Sequence, residues 1–353
     1  MLAHITAPSP GSGAHPLPGR GRLARPRVVA IGGGTGLPTV LVALRTVFPE
    51  AQDALRRSDW LTAIVTVMDD GGSSGGLRES LGVLPPGDIR NCLAALVREP
   101  SGLSSILHER FTDERGNAGH PIGNLLLAAL STTEGDLLRA ISRLGSQMGI
   151  TGRVLPATLE SVHLTAAFED GTDVRGETAI AARRGRIRKL ALERPVRPVP
   201  EAIESLVNAD LIIVGPGSLY TSILPNLLVD GIAATLSAVK ATRVYVANLM
   251  TEPGETDGYT LDDHLAAIRE HVGFDLFDYV LVNGSAIAAD ALSTYAADGS
   301  RPVRPSGPHC DGTAAAIVPA DLATITPCGQ IRHDPAALGI ALHALTLPAS
   351  LQE

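Results

Sequence analysis

Five short apolar runs, each ending in glycine or small polar residues, set the limits on what this chain can fold into. Residues 27–31 run into Gly32-Gly33-Gly34-Thr35-Gly36, and residues 61–68 run into Asp69-Asp70-Gly71-Gly72. Residues 211–214 precede Gly215-Pro216-Gly217-Ser218, residues 244–247 precede Asn248, and residues 279–282 precede Asn283-Gly284. Continuous apolar runs of this length read as strands buried on both faces. Helical patterns fall between and after them, at 37–47, 88–98, 103–111, 122–130, 135–147 and 335–345. The alternation predicts an α/β fold: a doubly wound, mostly parallel Rossmann-like sheet with helices on both faces.

Residues 153–193 depart from the alternation. Segments 163–168 and 173–177 read as a hairpin about Glu169-Asp170-Gly171-Thr172, and 187–192 as a further strand. A small β-rich insertion is expected there, within one α/β domain over 27–353. It is a candidate cover for the site or a surface for a homo-oligomer. Residues 1–26 are rich in Pro, Gly, Ala and Arg and lack the apolar core of a signal peptide, so a disordered extension is expected.

Charge and composition narrow the partners. The net charge of −8 and the lack of a basic patch argue against nucleic acid. No apolar run is long enough to span a membrane. The only lysines are Lys189 and Lys240, so an anion would be held by Arg and backbone N–H groups. Cys92, Cys310 and Cys328 lack metal-site spacing and fit a reducing cytoplasm.

In doubly wound sheets ligands bind beyond the carboxyl ends of the strands. Gly32, Gly33, Gly34, Thr35 and Gly36 enter a helix whose N-terminus suits a phosphate. The loop is an incomplete dinucleotide fingerprint: Leu37 stands at the third glycine position, and Asp69 lies beyond the usual acid spacing. An NAD-binding oxidoreductase would rest on that loop alone. No Gly-Lys-Ser/Thr occurs, which weakens an ATPase or kinase reading. Gly215, Gly217 and Ser218 form a second such element, with Pro225 interrupting its helix. Two anion-ready helix starts suit a diphosphate.

Asp69 and Asp70, followed by Gly71, can hold a ribose hydroxyl, Mg²⁺ or a proton. Asp88 reads as an N-cap with Arg90 and Asn91 in the first turn behind it. A capped helix with a solvated arginine is the plainer account, and the same holds for Arg78. His120 and Asn124 open another helix, as proton handler and base or sugar reader, or as structural residues. Thr260-Leu261-Asp262-Asp263 reads as a capping box. Arg332-His333-Asp334 places a cation, an imidazole and an acid before the last helix. There is no nucleophile elbow and no metal-ligating His pair at helical spacing.

These motifs, with Gly87-Asp88-Ile89-Arg90-Asn91, Gly119-His120-Pro121-Ile122-Gly123-Asn124, Pro225-Asn226-Leu227-Leu228-Val229 and Asn248-Leu249-Met250-Thr251-Glu252-Pro253-Gly254-Glu255-Thr256, stand in the order of a known family. Over about residues 27–345 the chain resembles the bacterial YvcK proteins, or gluconeogenesis factors, of the CofD-like superfamily. The resemblance implies a cytoplasmic protein that binds UDP-sugars such as UDP-N-acetylglucosamine. It also implies a regulatory link to cell shape and cell-wall synthesis during gluconeogenic growth, with no assigned reaction. The glycine loops and Ser218 would hold the diphosphate, Asp69 the ribose or sugar, and Arg332 a phosphate charge. Asn124, Asn248 and Asn283 would contact base or sugar. The CofD branch instead transfers a phospholactyl group from a guanosine-diphosphate conjugate to a deazaflavin, with Mg²⁺; there Asp69 or Asp70 would carry the metal or act as base. The Gly-Gly-Ser-Ser-Gly that follows the double Asp is the YvcK form. Glu252 stands where the YvcK pattern has Gln. Pro335 leaves no hydroxyl after Arg332-His333-Asp334.

Overall fold

A computed structural model describes residues 26–48, 60–98, 102–112, 118–307 and 313–346. The expected N-terminal extension, save for Pro26, lies outside the described residues, as does Cys310.

Seven parallel strands form the central sheet: β1 (Val28–Gly32), β2 (Leu61–Val65), β3 (Arg153–Pro156), β4 (Leu211–Val214), β5 (Thr242–Val246), β6 (Tyr279–Asn283) and β7 (Ala316–Ala320). Their order is β7-β6-β5-β4-β1-β2-β3. The chain winds outward from β1 in one direction, returns, and winds outward from β4 in the other. That is the doubly wound order, and it opens a crevice between β1 and β4.

The apolar runs follow from this burial. Val29 and Ile31 of β1 enter one core with Ile64, Ile212 and Val214. Val28 and Ala30 enter the opposite core with Leu61, Ala63, Val65 and Ile213. Side chains alternate across a strand, so a sheet covered on both faces needs apolar residues at every position.

Four sequence expectations differ from the fold. The second run is a strand only to Val65; Thr66 N–H still bonds the carbonyl of Gly32, and residues 66–68 are not part of the strand. The helix expected at 103–111 is one turn, Gly102–Ser105, followed by an antiparallel pair, Arg110–Thr112 with Ala118–Pro121. The glycine-rich stretch after the double Asp is a helix, Gly72–Leu81, rather than an open loop. Arg153–Pro156, counted with the insertion, is an edge strand of the main sheet.

The rest of the insertion is a three-stranded antiparallel sheet, Asp173–Arg175, Leu164–Phe168 and Ile187–Leu192, with a helix at Glu177–Ala182. Leu164, Ala166, Phe168, Ile187 and Leu190 join the core that holds Val29 and Ile31. No single helix among the described residues is long and apolar enough to cross a membrane; the apolar pair Leu219–Leu227 and Ile232–Ala238 is bent by 72°.

Candidate functional site

The loops after β1 and β4 meet at the sheet's point of reversal, and they meet closely. A Cβ on Gly36 would overlap the carbonyl of Pro216. Gly34 needs its glycine for another reason, a φ of +60°. Gly217 donates its N–H to Asn248 Oδ1 at 3.0 Å, which ties the loop after β5 to the loop after β4. Asn226, fully buried, donates to the carbonyls of Gly32 and Ser222 at 3.0 and 2.7 Å and so holds the end of β1.

A cleft of about 270 Å³ opens above this junction. Thr35, Gly36, Gly217, Asn248, Glu252 and Arg332 line it. Glu252 accepts from Asn248 Nδ2 at 3.3 Å. Burial raises the pKa of Glu252 against the pull of a Ser218 hydrogen bond and the Arg332 charge. Glu255, buried below, accepts from Tyr220 N–H at 3.2 Å and from the Thr221 hydroxyl at 2.8 Å. Burial, followed by the charge of Glu252, pushes Glu255 to about 7. His333 also lines the cleft; burial lowers its pKa to about 4, so it is neutral at physiological pH.

The other predicted residues gather away from the lining of this cleft. Asp88 is not an N-cap; Pro86 holds that place. Its carboxylate reaches back to accept the N–H of Gly34 at 2.7 Å. Burial pushes Asp88 to about 6, against the Gly34 bond. Glu177, from the insertion, is pushed to about 9 by burial and then by the charges of Asp69, Asp88, Glu255 and Asp70. Asp69 accepts the N–H of Gly71 at 2.8 Å.

Asp70 has a different task. It accepts the N–H groups of Glu177 and Thr178 and the Thr178 hydroxyl at 3.0, 2.9 and 2.8 Å. Burial alone would raise its pKa, but these bonds outweigh it and hold the group below its ordinary value. No group of three or more His, Cys, Asp or Glu among the described residues is placed to hold a metal ion. Asp70 is thus engaged with the insertion helix and Asp69 with the N–H of Gly71.

Arg90 donates to Asn124 Oδ1 at 2.9 Å and to Asn91 Oδ1 at 2.7 Å. Asn124 donates to Ser73 Oγ at 3.0 Å, and Ser73 bonds His120 Nδ1 at 2.8 Å. These residues form one polar chain between three helices. Gly123 leaves room for the Arg90 side chain, since a Cβ there would lie 2.8 Å from Arg90 Cγ. Arg78 ties the Gly72–Leu81 helix to the insertion through Ser161 and Val162.

A family model for the 2-phospho-L-lactate transferase CofD matches residues 28–323. The chain belongs to the CofD family. Within it, the chain groups with the gluconeogenesis factors, the YvcK branch. It is 44% identical over 282 residues to the gluconeogenesis factor of Halalkalibacterium halodurans, covering 80% of this chain and 84% of that protein. It is 42% identical over 280 residues to the gluconeogenesis factor of Bacillus subtilis, covering 79% and 85%. The crystal structure of a Bacillus halodurans protein superposes with a TM-score of 0.83 at 39% identity, covering 90% of this chain and 99% of that one. A second crystal structure from that organism, described as a member of the UPF0052 family, gives 0.82 at 38% identity.

Three placements bear on this CofD-family site. Asn283 is engaged away from the cleft: its Oδ1 accepts from Leu322 N–H and from the Ser285 hydroxyl, and its Nδ2 donates to the Ser285 carbonyl. Glu177 joins the acids although nothing around it in the sequence marks it. Tyr295, on the helix Ala289–Ala297, and Asp298, the residue that caps its end, line the cleft. Tyr295 accepts Ile331 N–H at 3.0 Å through its hydroxyl, which fixes the strand bearing Arg332. No sequence motif marks that helix.

Proposed function

We propose that the protein is a cytoplasmic regulator that binds a UDP-sugar, such as UDP-N-acetylglucosamine, in the cleft above β1, β4 and β5. One observation carries this reading: the reversal of strand order puts two glycine loops, Asn248 and Arg332 around a single cleft. The start of the helix Gly36–Val47 supplies N–H groups for a diphosphate. Arg332 supplies a cation on the lining that can pair with a phosphate. Asn248 offers an amide for the sugar or base. The name of the relatives, gluconeogenesis factor, supports a role during gluconeogenic growth. Control of cell-wall synthesis and cell shape is the output we assign to it. Calorimetry with UDP-N-acetylglucosamine on the purified chain is the test. Measurable heat and a raised melting temperature are expected; neither at millimolar ligand would end the reading.

A second reading is a CofD-like transferase. It is favoured by the part-buried acids Asp69, Asp88 and Glu177, of which Asp88 and Glu177 have raised pKa values that suit proton transfer. A mass-spectrometric assay with a deazaflavin acceptor, a phospholactyl-nucleotide donor and Mg²⁺ separates the two. Product formation that is lost in Asp69→Asn would establish the enzyme; no product beside an active control removes it.

A further inference from the structure

The charges of the cleft do not suit the ligand assigned to it. Arg332 is a cation on the lining, and its guanidinium is shared with Gln330 Oε1 at 3.1 Å. Glu252 and Asp298 are acids on the same lining, and Glu255 lies beneath. An ionised Glu252 would oppose any diphosphate resting on the two glycine loops.

The hydrogen bonds say which acid can carry a proton. Gly217 N–H is a donor, so the atom of Asn248 it meets is the carbonyl oxygen. The amide orientation is thereby fixed, and Nδ2 faces Glu252 as a donor to Oε1. One Glu252 oxygen is therefore an acceptor. Glu255 is held as an acceptor at both oxygens, by Tyr220 N–H on Oε2 and the Thr221 hydroxyl on Oε1. Neighbouring buried carboxyls resist sharing two charges. The proton that relieves the pair falls on Glu252: besides the Asn248 amide it meets only the Ser218 hydroxyl, which can turn to accept, whereas Glu255 is held by backbone N–H groups that can only donate. The other titratable groups facing this acid do not substitute for it. The lowered pKa of the part-buried His333 keeps it neutral, and burial keeps the proton on the Tyr245 phenol. Burial pushes both glutamates up, and the charge of Glu252 adds to the rise at Glu255.

We infer that Glu252 is protonated when the cleft holds a diphosphate, so that ligand binding takes up one proton from solution. The inference deepens the UDP-sugar reading and rests on it. A neutral carboxyl removes a repulsion and adds a donor, since its O–H can bond a phosphate oxygen where a carboxylate only accepts. The sign follows. Affinity is full below the pKa of Glu252 in the free protein and falls by about tenfold per pH unit above it, until the bound-state pKa is reached.

The experiment is calorimetry of UDP-N-acetylglucosamine binding to the full chain, near pH 8, in two buffers of different ionisation enthalpy. The diphosphate of this ligand is fully ionised across the range, so the protons counted belong to the protein. The wild type is expected to take up close to one proton. Glu252→Gln is expected to take up none, to bind more tightly at that pH, and to lose the pH dependence. Binding of the wild type with no proton uptake overturns the proposal, and that count needs no variant. Uptake unchanged in Glu252→Gln also overturns it, by assigning the proton to Glu255, Asp298 or His333. No binding in either buffer removes the UDP-sugar reading and this inference together; binding without uptake removes the inference alone.

Discussion

The carboxylate of Asp70 accepts both the backbone N–H and the hydroxyl of Thr178, a residue 108 positions away. With Glu177 N–H added, Asp70 serves as the N-terminal cap of the insertion helix Glu177–Ala182. The end of the second apolar run therefore clamps the insertion to the sheet. The clamp also sets where Glu177 enters the acid group beside Asp69 and Asp88.

Asp70→Ala should loosen the insertion first. Loss of a capping acid costs about 1–2 kcal/mol. Hydrogen exchange at 177–182 should rise, and urea unfolding should shift by that amount. Because the pKa of Asp70 is depressed, its contribution is complete above the ordinary carboxylate range and is lost as pH falls through the lowered value. Ligand affinity should change less than exchange. If binding is abolished while 177–182 stays protected, Asp70 belongs to the ligand and not to the helix.

Glu177 works in the opposite direction. Its pKa rises from 4.5 to about 9 in the folded protein, so the unfolded chain gives up its proton first. Stability is complete below the unfolded value and declines as pH rises through the window between the two. Glu177→Gln should remove that decline. The gain is expected on the order of 2 kcal/mol near pH 8 and close to zero near pH 4. Thermal melts of both proteins at the two pH values check it; a gain that does not depend on pH would exclude the raised pKa of Glu177, from burial and then the neighbouring acids, as its cause.

How much of this was legible in the sequence depended on how local the cause was. β1, β4, β5 and β6 were legible because both their faces are buried and their residues are almost all apolar. The crevice was legible because glycine loops follow those strands. The outer strands were not: Arg153–Pro156 and Ala316–Ala320 are short, contain proline, and sit at the edges where it is tolerated. The helix Gly72–Leu81 was hidden by glycine, a poor helix former. At Gly75 the glycine is needed by the helix itself, since a Cβ there would overlap the backbone of Asp70 five residues before it. Asp88 to Gly34 and Asp70 to Thr178 span long stretches of chain, and single-sequence patterns do not report such pairs.

Gly36→Ala tests whether the two glycine loops must touch. The added methyl would overlap the Pro216 carbonyl, which is backbone and cannot swing aside. Overpacking of this kind costs about 1–3 kcal/mol. Separation of the loops should weaken UDP-N-acetylglucosamine binding by about tenfold or more, since a displaced N–H costs about 1.4 kcal/mol per decade of affinity. Gly102→Ala is the matched control, because a Cβ there meets nothing within 4 Å. Equal effects from the two variants would mean that the approach of Gly36 to Pro216 is incidental to binding.

Asn248 separates loop positioning from charge, because its two amide atoms have different partners. Asn248→Ala removes the acceptor of Gly217 N–H and the donor to Glu252 together. A buried donor left unpaired costs about 1–3 kcal/mol, so this variant should bind weakly at every pH. Asn248→Asp keeps the acceptor for Gly217 but sets a second carboxyl against Glu252. At low pH a shared proton satisfies both acids, and affinity should stay within a few-fold of wild type. As pH rises the two acids repel and the anionic ligand repels both, so affinity should fall more steeply than in the wild type. Calorimetric titrations of the three proteins across pH check the order. If Asn248→Asp loses the same affinity at all pH values, the amide acts on the ligand directly and its link to Glu252 does not govern binding.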